Sequence, residues 1–420
     1  RWPAGRAGRL KPAAGAAGAT AAVRQGNTAG TAGTGGTQGA GVTAHRRVIE
    51  GLVVTPGGVL RGRVVVDGER IAAVEGAPVP DDAWRDAALP LVLPGFIDLH
   101  VHGGGGADTM QAADDPAALD LVARTHLRHG TTAMLATTMT APMAQVRAAL
   151  AGIAPACRAR TPGAARVLGV HLEGPYLSPD RLGAQPPQAV LPSADEILAL
   201  HAIAPLRVVT LAPELPGAME AIVALVAAGI RVQLGHGTAS YEQACAALAH
   251  GAAGFTHLFN AMSGLHHRAP GMAGAALAHA ERAELIPDLL HVHPGAVRAA
   301  LRAIPGLYCV TDSTAAASMP DGEYRLGGQT VQRCMGAVRL ADGTLAGSTL
   351  TMDQALRNLV GPLALPLPDA VRRVSTHAAQ HLGLPDRGTL VPGAWADIVV
   401  LDAALQLRDV ICEGESGDLD

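Results

Sequence analysis

Short apolar runs that end in a polar or charged residue recur through the middle of the chain. They cover residues 95–102, 131–138, 165–174, 206–214, 230–237, 252–260, 283–293 and 306–312, and end at His102, Thr138, Glu173, Glu214, His236, His257, His291 and Asp312. Ala- and Leu-rich stretches separate them, among them 116–129 and 241–250, where a helix is expected. Strands alternating with helices predict βαβ units and a parallel sheet. Eight of them suggest a closed (β/α)8 barrel, with an open doubly wound sheet as the competing α/β fold. The barrel is preferred because the polar residues at the strand ends are so alike. In a barrel all eight C-terminal ends converge on one face, where active sites sit.

The outer segments carry a different pattern. Residues 45–74 and 388–402 alternate Val and Ile with polar residues, and Gly-Gly and Asp-Gly mark turns. Both predict short strands of one small β-unit beside the main body. The expected division is 45–93 with 385–412 for that unit, 94–384 for the barrel and 413–420 for a tail. The first 44 residues are mostly Ala, Gly, Thr and Arg, without periodicity. Such a stretch buries too little apolar surface to offset its ordering entropy, so a disordered extension is expected.

Composition narrows the function classes. Hydrophobic residues make up 49% of 420 and aromatics only 2%, which fits a core of small aliphatic side chains and not a platform of stacked rings. A formal net charge of -4 argues against a nucleic-acid partner, which calls for a basic face. No apolar run is long enough for a bilayer. Five scattered cysteines without a CxxC pair suit reduced thiols in a cytoplasmic protein.

Several strand-end residues are candidates for chemistry. His100 and His102 form His-x-His; residues two apart on a strand face one side, so both rings can address one ion. Glu173 can bind one metal or bridge two, and His236 and His257 end the fifth and sixth runs. A set of imidazole and carboxylate ligands suits one or two divalent ions, zinc first and iron or another transition metal next. Asp312 can take a proton from water attacking a carbonyl and return it to a leaving nitrogen. His291 is placed to donate a hydrogen bond to the substrate carbonyl. Arg268 stands in a loop where a phosphate could be held, with His266 and His267 as helpers. His126 and His129, on a predicted helix, are not expected to be ligands, and "HGGGGAD" is expected to be a flexible turn beside the site.

The motifs "LPGFIDLHVHG", "HLEGPYLS", "LGHGTASYEQ", "THLFNAM", "RAPGMAG", "VTDST" and "AGSTLTMDQALRNLV" follow in order from about Arg47 to Asp402. Together they resemble the N-acetylglucosamine-6-phosphate deacetylase family of the amidohydrolase superfamily. The resemblance implies a (β/α)8 barrel with a small β-sandwich made by both chain ends, and hydrolysis of the acetamide of an N-acetylhexosamine 6-phosphate. It implies that Glu173, His236 and His257 hold the shared metal, that Asp312 is the acid/base, and that His291 contacts the acetyl carbonyl or the sugar. Asn260, Ala261 and Arg268 would hold the sugar phosphate, and the protein would be a homodimer. Keeping His100 and His102, the chain resembles the two-metal members. It departs from the family pattern at Gln185, where a His is usual, and at 376–384, where Asn-Pro-Ala is usual.

Alternatives are a deacetylase of the galactosamine epimer, another N-acyl amidohydrolase, and a non-catalytic scaffold. Many related amidohydrolases bridge their metals with a carboxylated lysine, but Lys11 is the sole lysine in this chain, which leaves the bridge to Glu173.

Overall fold

The expected alternation of apolar strands and Ala- and Leu-rich helices is present. The structure is a computed structural model and describes residues 46–85 and 88–419. The N-terminal extension expected to be disordered lies outside the described residues.

Eight strands and eight helices alternate. The first barrel strand, Phe96–Val101, is followed by Thr131–Thr138, Arg166–Glu173, Leu206–Leu211, Arg231–Leu234 and Gly254–Phe255, which pair in that order as one parallel sheet. The seventh and eighth strands, Glu284–Leu285 and Tyr308–Cys309, pair with each other. Backbone hydrogen bonds carry the curl around: Leu258 N–H donates to the Glu284 carbonyl at 2.9 Å, Asp312 N–H to the His100 carbonyl at 2.9 Å, and His102 N–H to the Ser313 carbonyl at 2.9 Å. Thr311 reinforces that closure, its Oγ1 donating at 2.6 Å to Asp98, a buried first-strand carboxyl that burial pushes up to about 7.

These strands are buried over nearly their whole length, as expected of a parallel sheet covered by helices. Side-chain caps mark the start of several helices. Asp115 caps Pro116–Leu127, whose Pro116 needs no N–H partner, and Ser240 with Gln243 forms a capping box on Tyr241–Ala249. Core volume comes from Leu, Val, Ile and Ala, with Tyr176, Tyr308, Phe96 and Phe255 as the largest fully buried side chains.

Both ends of the described chain meet in one seven-stranded sheet. Arg46–Thr55 pairs with Gly58–Asp67 through a two-residue turn at Pro56 and Gly57, and parallel to Leu91–Pro94, which Ile398–Leu401 joins from the other side. The sheet curls until Ile71 N–H reaches the Ala394 carbonyl at 2.9 Å. It encloses a core of its own with Ile49, Val64, Ile71, Val92, Ile398 and Ile411.

One element was not expected. Gly322–Leu326, Gln329–Cys334, Ala337–Arg339 and Leu345–Ser348 form a four-stranded antiparallel sheet between the eighth strand and its helix, Met352–Val360. It packs Leu326, Val331, Val338 and Ala346 on Met139 and Ala316.

Candidate metal centre and active site

The C-terminal ends of the barrel strands bring two groups of ligand-type side chains together. His100, His102 and Asp312 form the first; Glu173, His236 and His257 form the second, and all six are buried. His100 Nε2 lies 3.2 Å from His102 Nε2, and Asp312 Oδ1 lies 3.4 Å from both. In the second group, His236 Nε2 and His257 Nε2 are 2.9 Å apart, and each is 3.1 Å from Glu173 Oε1. Glu173 joins the groups, because its Oε2 is 3.1 Å from His102 Nε2.

This donor set fits a divalent cation. Two imidazole nitrogens that both present lone pairs repel at about 3 Å unless positive charge lies among them. Four such nitrogens converge here on two carboxylates, which is the ligand chemistry of zinc and related ions. The backbone bends to allow it. His236, His257 and Asp312 have φ of 48°, 27° and 50°, a region that costs non-glycine residues about 1–3 kcal/mol each and is concentrated at functional sites.

Electrostatics points the same way. Burial alone would raise the Glu173 carboxyl, yet the charge of His100 and hydrogen bonds from His100, His102 and His236 hold it well below the usual range. Burial opposes protonation of His100, but Glu173, Asp312 and Glu284 outweigh it and raise its pKa well above the ordinary value. His236 is raised as well, burial being outweighed chiefly by Glu173. The centre is thus built to hold positive charge.

A cavity of about 330 Å³ opens beside these residues. It is lined by His102, Glu173, His236, His257 and Asp312, and also by Asn260, Ala261 and His291, three of the expected substrate contacts. One expectation needs correction in position, and one residue stands apart from the cavity. His291 does not end the seventh strand, which stops at Leu285; it sits in the following loop, where Asp288 Oδ2 accepts from its Nδ1 at 2.6 Å. Burial would lower the His291 pKa, but the bond and charge of Asp288 raise it overall. Arg268, expected to hold phosphate, is exposed with its neighbours His266 and His267 and does not line the cavity of its own chain.

The glycine run after His102 is not a flexible turn. Gly103–Gly104 pairs with Ala107–Asp108, and a Cβ at Gly103 would meet the Ala107 carbonyl oxygen at 2.4 Å. The turn is pinned by close backbone approach. His126 donates into that region instead of toward the ligands, with Nε2 3.1 Å from the Gly103 carbonyl. His293 caps the helix Pro294–Ala303.

Three features add to the expected site, the first of them at the residue already marked as a departure from the family pattern. Gln185 spans the site: its Nε2 donates to Glu173 Oε2 at 2.6 Å, and its Oε1 accepts from Thr140 N–H at 2.7 Å. Arg181 lines the cavity, and its carbonyl accepts from His236 Nδ1 at 2.9 Å. Leu326, Thr344, Leu345 and Gly347 of the inserted sheet region form one wall. The Gly-Gly, Met-Gly and Asp-Gly turns between its strands were the available signal.

Residues 91–416 match the model of the amidohydrolase family. An N-acetylgalactosamine-6-phosphate deacetylase of Escherichia coli O157:H7 is 44% identical over 353 residues, covering 82% of this chain and 92% of that protein. An N-acetylglucosamine-6-phosphate deacetylase of Lysinibacillus sphaericus is 40% identical over 329 residues, covering 77% and 84%. Among solved structures, an N-acetyl-D-glucosamine-6-phosphate deacetylase variant from Mycobacterium smegmatis, in complex with N-acetyl-D-glucosamine-6-phosphate, aligns with a TM-score of 0.80 at 37% identity. That alignment covers 88% of this chain and 99% of the other. With a family match over most of its length and relatives of this similarity, the chain belongs to the amidohydrolase family.

Proposed function

We propose that the chain hydrolyses the acetamide of N-acetyl-D-glucosamine 6-phosphate, releasing D-glucosamine 6-phosphate and acetate in amino-sugar catabolism. The observation that carries this reading is the joined ligand set around Glu173, with Asp312 facing the same cavity, in a chain about 40% identical to deacetylases of such phosphates.

Glu173, His236 and His257 would hold one divalent ion and His100 with His102 a second, zinc being the first choice for this donor set. When bound, the ions supply Lewis acidity to the acetyl carbonyl and acidify water. Asp312 takes the proton of the attacking water and passes it to the amide nitrogen, which leaves as an amine because an amide anion is a very poor leaving group. His291, aimed by Asp288, donates to the carbonyl oxygen as negative charge grows there. Asn260 and Ala261 line the end of the cavity that takes the sugar phosphate. Arg268 reaches that phosphate from the neighbouring subunit of a homodimer, which accounts for its position outside its own cavity. The enzyme works in the cytoplasm, in keeping with five free cysteines; no helix among the described residues is long and apolar enough to cross a membrane.

The galactosamine epimer is the second reading, favoured by the Escherichia coli relative at 44% identity. Acetate release by metal-loaded protein from N-acetylglucosamine 6-phosphate, its galactosamine epimer and unphosphorylated N-acetylglucosamine tests both. Fast release that requires the 6-phosphate is expected, and the ratio between the epimers chooses between the readings. No release from any of the three, with metal bound, overturns the substrate assignment.

A further inference from the structure

Glu284 lies on the seventh barrel strand, fully buried and outside the cavity lining. Its Oε2 stands 3.0 Å from His100 Nδ1 and accepts the main-chain N–H of His257 at 3.2 Å. One carboxylate therefore touches a residue from each ligand group. Each group also contains one imidazole anchored through Nδ1 and one that is not. His100 is anchored by Glu284 and His236 by the Arg181 carbonyl, whereas His102 Nδ1 and His257 Nδ1 are buried without a hydrogen-bond partner. The anchor of the His-x-His pair is thus a single side chain, and it is a carboxylate.

We propose that Glu284 is a positioning residue for the metal position formed by His100 and His102. It accepts the His100 Nδ1 proton, which leaves the Nε2 lone pair facing His102, Asp312 and Glu173. A carboxylate in this role fixes tautomer and ring orientation and makes the ligand more basic. Through the His257 main chain it also sets this position relative to the one formed by Glu173, His236 and His257. The inference rests on reading the constellation as a metal centre, and on no assumption about the substrate.

Glu284 is not itself a ligand in this arrangement. It stands with His100 and His171 in a third cluster of ligand-type residues. His171, however, has both nitrogens engaged, Nδ1 with the Leu99 carbonyl at 3.1 Å and Nε2 with Thr210 Oγ1 at 2.7 Å. An ion there would have to break these bonds and the one from His100 to Glu284.

The test is titration of metal-free protein with Co²⁺, followed by visible absorption and by metal per chain after gel filtration. Wild type is compared with Glu284→Gln, His100→Asn and the double variant. Wild type is expected to take up two ions. Glu284→Gln should bind the first as wild type does and the second about 10–100-fold more weakly. It should add nothing to His100→Asn, because the position it serves is already lost. The metal-free melting temperature of Glu284→Gln reports folding separately. Wild-type uptake by Glu284→Gln, equal weakening of both ions, further weakening in the His100→Asn background, or a wild type that takes up one ion only would each overturn the proposal. The readout is metal binding, so failure of the deacetylase reading leaves it intact.

Discussion

Two buried ionic clusters stand in different parts of the molecule. Near the C-terminal strand Leu407–Cys412, Arg387 pairs with Asp397 and Glu413, and Glu413 also accepts from Arg166 at 2.7 Å and Arg160 at 3.2 Å. At the barrel mouth, Glu173, Asp312 and Glu284 face histidines. Backbone strain does not separate the two, since Glu413 has a φ of 52° and Asp312 one of 50°. Completeness does. Each carboxylate of the first cluster has a permanent guanidinium partner, so it is neutralised without help. The second has imidazoles, which balance its carboxylates only by gaining protons or by sharing a cation. The first cluster is a brace between barrel and sheet; the second is a receptor.

The largest expected effect tests the receptor. Asp312→Asn should cut kcat by about 10²–10⁴-fold, the usual contribution of a general acid–base group. The ion held by Glu173, His236 and His257 should stay bound, because that group is untouched. Acetate release and metal per chain, measured on one preparation, check both. A rate near that of wild type would remove Asp312 from the proton path.

The brace should fail differently. Arg387→Met leaves Asp397 and Glu413 buried with fewer partners, and breaking a buried pair costs about 3–5 kcal/mol. Unfolding in urea, followed by circular dichroism, should show that loss. The folded fraction should keep its metal content and its kcat. If metal is lost in proportion to stability, the two clusters are one unit and the contrast between them is wrong.

What was legible in the sequence follows the same division. His100, His102, Glu173, His236, His257 and Asp312 stand out because a polar residue closing an apolar run needs a reason to be there. The alternation of strands and helices then sends them to one face. His291 was misplaced because Pro287 and Asp288 stop the strand early while the apolar residues continue to Leu290. Glu284 escaped notice because it opens a strand, and its partners come from strands one and six. Arg387, Asp397 and Glu413 are ordinary charges in sequence, and only folding brings them together. The glycine run misled because permissive residues serve close packing as well as motion.

Arg268 tests whether the receptor is complete in one chain. Arg268→Ala should raise KM for the phosphorylated sugar about 10- to 100-fold, the loss of a hydrogen bond to a charged group. Activity on the unphosphorylated sugar should be unchanged. An equal loss on both substrates would argue against a phosphate contact. Because the side chain lies outside its own cavity, the contrast sharpens with dilution. If a partner supplies it, wild type diluted below its dimer dissociation constant should acquire the raised KM of the variant.

The smallest effect concerns pH. His291 has its pKa raised in the folded chain: burial pulls it down, but Asp288 pushes it up by more. Asp288 is correspondingly lowered, its own burial being outweighed by His291. The stability of this pair is present between the two values. It fades as pH falls through the lowered pKa of Asp288, and as pH rises through the raised pKa of His291. Asp288→Asn keeps the size of the side chain but removes its charge, so burial prevails and the His291 pKa falls. If a protonated His291 donates to the carbonyl oxygen, the alkaline limb of the kcat profile must then move to lower pH. A limb that stays in place would mean that the ring acts in its neutral form. His291 would then orient the sugar and leave the growing charge to the metal centre, making the receptor alone responsible for the chemistry.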